Sequence, residues 1–320
     1  MTDVAHPLAV TVTLNPAIDL TVTLDRFVVG TVQRARAALS NVGGKGINVA
    51  GCLADWGVPV VATGILGRAN DDGFAEFFTA KGIGDRFVRT AGETRTNIKI
   101  ANLSNGETTD INLPGLDISE GTFDAVRAAL LRSVVPGRPV VLAGSVPESL
   151  PDDAWTVIAE GLVEHGARVV VDTSGAPLAR LLSSGLPIHA VKPNRHELES
   201  AVGRSLSRRE DIVEAARMLI ARGIGLVVVS LGEEGALFVT ADRMLAAKLP
   251  PKTVVSTVGA GDSMVAGLVA GLVEGADLER VARLAVAFPA SKLDRIGPHL
   301  GPKADVEKLA DAVEVTSPVA

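Results

Sequence analysis

"NVGGKGINVA", residues 41–50, sets three glycines and one lysine in four consecutive positions just ahead of an apolar run. Three readings compete for it: a phosphate-cradling P-loop, a dinucleotide fingerprint, or the turn that feeds a helix. A P-loop needs a glycine five residues ahead of the Gly44–Lys45 pair and a Ser or Thr after the lysine, where Leu39 and Gly46 stand instead. The GxGxxG spacing fails as well. What remains is a helix start from Ile47 onward, whose amides are free of Cβ hindrance and which has a cation and Asn48 close by. Such a start is more often structural than functional.

Working outward, short β-branched runs alternate with longer amphipathic segments. The runs are "LAVTVTL" (8–14), "PVVATGIL" (59–66), "PVVLAGS" (139–145), "ARVVVDTS" (167–174), "IHAVKPN" (188–194) and "LVVVSLG" (226–232). Helices are expected over 46–55, 71–82, 119–133, 151–165, 207–222, 260–274, 277–293 and 303–313. Continuous apolar strands separated by helices imply an α/β three-layer sandwich with a mostly parallel sheet and a crevice at the strands' carboxyl ends. Residues 19–40 and 93–113 break the rhythm: "DLTVTLDRFV" and "TRTNIKIANL" alternate apolar with polar, and no helix separates the latter from "TTDINL". They predict a small antiparallel sheet at the edge of a large domain formed by 1–18, 41–92 and 114–320.

The chain of 320 residues is 47% hydrophobic with 3% aromatic residues and no Tyr, so its core is aliphatic. A net charge of −6 offers no broad basic face to nucleic acid or anionic membrane, so any anion must be held by a few local cations. Cys52 is the sole cysteine, which excludes an internal disulfide and a thiolate cage. His6, His165, His189, His196 and His299 lack the spacing of helix-borne zinc ligands. The start of the chain lacks a charged region followed by an apolar core, and stretches such as "GLVVVSLG" (225–232) fall short of a bilayer span, so a cytoplasmic protein without membrane contact is expected.

A second glycine-rich helix start, "STVGAGDSMVAGLVAGLVEG" (256–275), changes the weight of the first. Gly259, Ala260 and Gly261 let successive amides converge where the helix dipole adds positive potential, which suits a transferring phosphoryl group. Asp262 would stand beside that point, kept ionised by the helix terminus and able to accept a proton from an attacking hydroxyl. Alone, it reads equally well as a helix cap.

These two segments together resemble the signatures of the ribokinase-like sugar kinases, in the phosphofructokinase B branch. "TVTLNPAIDLTV", "GRANDDGFAEFF", "GIGDRF", "TRTNIKI" and "GETTDINLPG" are most similar to the bacterial kinases of fructose 1-phosphate. The resemblance implies a β-sheet lid on the large domain, ATP and Mg²⁺ as co-substrates, and γ-phosphoryl transfer to O6 of fructose 1-phosphate. Kinases of tagatose 6-phosphate or fructose 6-phosphate, or a non-catalytic sensor on the same fold, are the alternatives. It gives Asp19, Gly43, Gly44, Lys45, Asn48 and Ser145 to the sugar, and Arg95, whose planar fork suits an anion, to the phosphate already on it. Lys192 and Asn194 would face the triphosphate, with Glu197 orienting Mg²⁺ through water; outside that context the Asn and Glu read as a helix cap. Ser230, Gly232 and Gly235 would lie near phosphates or ribose, and Ala290 near adenine.

Relatives often hold a monovalent cation between the second signature and a later loop. Here Ser256 and Val258 keep the first half, whereas Pro289, Lys292 and Arg295 crowd the second, so Lys292 is expected to stand in for the ion. The resemblance also implies a homodimer formed through the lids.

Overall fold

The computed structural model describes residues 7–249, 259–292 and 299–317. In chain order its first elements are β1 (Ala9–Thr13), β2 (Ala17–Leu24), β3 (Ala37–Gly43), α1 (Lys45–Trp56), β4 (Val60–Gly67), α2 (Asp72–Lys81), β5 (Gly84–Asp85) and β6 (Val88–Thr90). Then come β7 (Thr96–Asn102), β8 (Glu107–Ile111), α3 (Glu120–Leu131), β9 (Pro139–Ala143), α4 (Ala154–Glu164), β10 (Arg168–Asp172), α5 (Gly175–Ser183), β11 (Ala190–Val191) and α6 (Arg195–Val202). The last are α7 (Arg209–Ala221), β12 (Leu226–Ser230), β13 (Ala236–Val239), β14 (Met244–Lys248), α8 (Ala260–Glu274), α9 (Leu278–Lys292), α10 (Lys303–Ala312) and β15 (Glu314–Thr316).

The large sheet runs β15-β14-β13-β12-β11-β10-β9-β1-β4-β5, with β6 also on β4. From β12 to β5 the pairings are parallel, as the continuous apolar runs require. Alternate strand residues enter opposite layers. Val140 and Leu142 pack with α3 to α7, while Val141 and Ala143 pack with α1, α8 and α9. Helices α8 and α9 press together because Gly267 and Gly271 carry no side chain; a Cβ on Gly271 would lie 2.9 Å from Val281. Chain order departs in both directions from β1, which lies between β9 and β4, so the crevice opens there.

The small sheet is present in the order β3-β2-β7-β8, and its outer pairings are antiparallel as expected. Its central pairing, β2 with β7, is parallel. The excursion of the chain through α1, β4 and α2 between these strands supplies the long connection that a parallel pair needs. Sequence reading also missed α5, α6 and the antiparallel extension β13–β15, and it overstated β11, which is two residues long. Among the described residues no helix is long and apolar enough to cross a membrane.

Candidate active site

The two glycine-rich helix starts meet. Gly259, in the left-handed region at φ 74°, precedes α8, and Asp262 follows in the first turn. Lys45 and Asn48 share one face of the first turn of α1. Asn48 Nδ2 donates to Asp262 Oδ2 at 2.7 Å. Asp262 is only 6% exposed. Burial and the neighbouring charge of Asp172 push its pKa up, against the pull of Lys45, Asn48 and Lys292.

Asp172, at the carboxyl end of β10, joins this group. Its Oδ1 takes both Lys45 Nζ at 3.3 Å and Lys192 Nζ at 3.2 Å. Burial alone would raise its pKa, but the Lys192 and Lys45 ammonium groups hold it below the ordinary carboxylate range. Burial likewise works against the Lys45 ammonium, and Asp172, Asp262 and Glu197 outweigh it, so its pKa rises.

Two buried lysines flank the start of α8. Lys292 sets its ammonium against the α-carbon of Gly259, where a Cβ would collide with it, and Lys192 Nζ lies 3.6 Å from where a Gly261 Cβ would stand. A helix N-terminus and two buried lysines beside a buried carboxyl group suit an anion. Ser256, Val258 and Arg295 lie outside the described residues.

On the lid side, Asn97 Nδ2 donates to Asp19 Oδ1 at 3.4 Å, and Gly43 passes so close that a Cβ would stand 2.7 Å from Asp19 Oδ2. Asn15 Nδ2 donates to Ser145 Oγ at 3.1 Å across the crevice. Arg95 gives Nε to the Pro16 carbonyl, Nη1 to that of Leu113 and Nη2 to that of Asn15, so two of its donors tie the small sheet to the β1–β2 connection while the third holds its own unit. Burial lowers its pKa, with Asp19 opposing.

On the opposite side, Asn194 and Glu197 form a reciprocal capping box on α6: Glu197 N donates to Asn194 Oδ1 and Asn194 N to Glu197 Oε2, both at 2.8 Å. Asn194 bridges to Ser230 at the end of β12. Gly232 and Gly235, both at positive φ, bound the turn that follows. Ala290 sits on α9 one position past Pro289 and two before Lys292, partly exposed.

Asp172, Asn15 and Asn97 were not singled out from sequence. Asp172 carried a usable signal: an acidic residue closing an apolar parallel strand falls where the crevice must open.

Residues 12–302 match the pfkB family of carbohydrate kinases. A 1-phosphofructokinase from Xanthomonas campestris is 50% identical over 89% of this chain and 91% of its own, and one from Rhodobacter capsulatus is 43% identical over 95% and 96%. The structure resembles Escherichia coli phosphofructokinase-2 solved with fructose-6-phosphate (TM-score 0.87, 29% identity, 95% and 98% coverage). The same enzyme solved with potassium gives a TM-score of 0.89 at 30% identity, again over 95% and 98% of the two chains. With a ribokinase-like fold, both glycine-rich helix starts in contact, and such relatives over nearly its whole length, the chain belongs to the pfkB family of carbohydrate kinases.

Proposed function

We propose that this chain transfers the γ-phosphoryl group of ATP to O6 of fructose 1-phosphate, giving fructose 1,6-bisphosphate and ADP. The observation that carries the reading is a buried carboxyl of raised pKa, Asp262, set beside bare amides and two buried lysines at one helix start. The 50% identity to a 1-phosphofructokinase favours this sugar phosphate over its isomers.

In this reading Asp262 accepts the O6 proton as O6 bonds to the γ-phosphorus and the bond to the β,γ-bridging oxygen breaks. A raised pKa strengthens the base. Amides of Gly259, Ala260 and Gly261, with Lys192 and Lys292, take the charge on the moving group. Asp19, Asn97, Asn15, Ser145, Lys45 and Asn48 face the sugar. Arg95 meets the 1-phosphate with the donors that the main chain leaves over. Asn194, Ser230, Gly232 and Gly235 face the nucleotide, and Ala290 its base.

Among the described residues no three metal-ligating side chains cluster into a cage, which fits an ion carried in on the nucleotide's own phosphates. Glu197 would hold Mg²⁺ through water with the oxygen that Asn194 does not engage. Bound there, the ion offsets triphosphate charge. Lys292 takes the place of a monovalent cation. The lids pair two copies, with the exposed Leu39 and Ile111 of the small sheet at the contact.

The test is a coupled assay with fructose 1-phosphate, fructose 6-phosphate and tagatose 6-phosphate at equal concentration. The highest kcat/KM is expected for fructose 1-phosphate, and a preference for either isomer overturns the assignment.

A further inference from the structure

Asp172 has no exposed side-chain surface, so it acts on a substrate only through its neighbours. Both ammonium groups that reach it use the same oxygen, Oδ1, while Oδ2 is buried without a partner among the described residues. One carboxylate thus serves two cations of different standing: Lys45 is 34% exposed to the crevice and Lys192 4%.

The carboxylate is rigidly placed. Asp172 pairs with Ala143 in the sheet, its carbonyl accepts from Gly144 N at 3.0 Å, and the Gly144 carbonyl is held by Thr173 Oγ1 at 2.9 Å and Trp155 Nε1 at 3.1 Å. Lysine is a point charge on a flexible stem, so fixing it at a bond length takes a fixed anion.

We propose that Asp172 is a positioning residue that yokes Lys45 and Lys192, holding one on the sugar side and one on the nucleotide side of the transfer point. Two cations on one anion leave a net positive charge facing the incoming phosphates, and a displaced carboxylate misplaces both lysines together. This inference rests on the division of sides given under the proposed function.

The experiment is steady-state kinetics on Asp172→Asn, Lys45→Met and Lys192→Met, varying fructose 1-phosphate and ATP in turn. Asp172→Asn keeps the shape and removes the charge. Its KM is expected to rise about tenfold for both substrates, the loss of one charge-assisted contact on each side. Lys45→Met should raise the sugar KM alone, and Lys192→Met the ATP KM alone. An Asp172→Asn enzyme in which either KM stays within twofold of the parent overturns the yoke. If instead the single lysine variants each move the other substrate's KM, the division of sides fails while the Asp172→Asn result still stands.

Should Asp172→Asn not yield folded protein, the Lys45→Met/Lys192→Met double variant decides. Only in the double variant is the buried carboxylate left with neither cation, so kcat/KM is expected to fall beyond the product of the single losses. A double loss equal to that product within twofold overturns the proposal.

Discussion

Asn48 Nδ2 and Asp262 Oδ2 stand 2.7 Å apart, joining the first turn of α1 to the first turn of α8 across 214 residues of sequence. The contact holds one oxygen of the carboxyl group, Oδ2, and so orients it. Asp262→Asn keeps the shape and removes the proposed base. Its kcat is expected to fall by about a hundred- to ten-thousandfold, the usual contribution of a positioned base, while both KM values hold within about threefold. Turnover near the parent rate would dismiss Asp262 as the base.

The acid limb of kcat/KM follows from the same residue. A base works only when ionised, and burial with the Asp172 charge raises its pKa, so activity is lost on acidification at a pH above the ordinary carboxylate range. The Asn48 bond pulls the other way. Asn48→Leu is therefore expected to move the limb to still higher pH, measured as kcat/KM against pH for the two enzymes. A shift to lower pH would reverse the assigned sign.

Stability runs opposite to activity at this position. A carboxyl group whose pKa is raised by folding binds its proton more tightly in the folded state, so its contribution to stability is lost as pH rises from the unfolded value through the folded one. Asp262→Asn should then melt at a higher temperature than the parent at neutral pH, with the gap closing below the unfolded carboxylate pKa. Thermal melts from pH 4 to pH 8 read this out, and a variant less stable at pH 8 than at pH 4 relative to the parent contradicts it.

What was legible in the sequence was local. The parallel strands are β-branched runs with both faces buried, and the starts of α1 and α8 announce themselves through glycine and a polar residue at the right offset. The upward pKa shift of Asp262 was not legible, because its burial and the neighbouring Asp172 charge come from segments far away in the chain. Asp172 stayed hidden for a related reason. In "VVVDTS" it reads as the end of a strand, and only the crossing of β10 between Lys45 and Lys192 gives it partners. The parallel centre of the lid was equally out of reach, since alternation reports that a strand is half-buried and says nothing of the direction of its neighbour.

Cys52 tests how well the α1–α8 contact is sealed. Burial pushes its thiol up to about 11, with Lys292 and the Ser263 hydroxyl opposing only in part. At pH 8 roughly one molecule in a thousand carries the thiolate, so iodoacetamide is expected to leave the folded protein unlabelled and to modify it only after denaturation. Rapid labelling of the native enzyme would show the helix pair opening.

The proposal that Lys292 stands in for a bound monovalent cation makes a claim about salt. Its buried ammonium lies against Gly259, whose left-handed backbone and missing Cβ leave room for it. If Lys292 supplies this charge as proposed, initial rates in sodium buffer free of potassium should match those with potassium added. Lys292→Met empties the position of charge and is expected to cut kcat, while Gly259→Ala should do so by another route, driving a methyl group into the ammonium and adding about 1–2 kcal/mol of left-handed strain. Strong activation of the parent enzyme by potassium would show that the ion still binds and that Lys292 serves a different end.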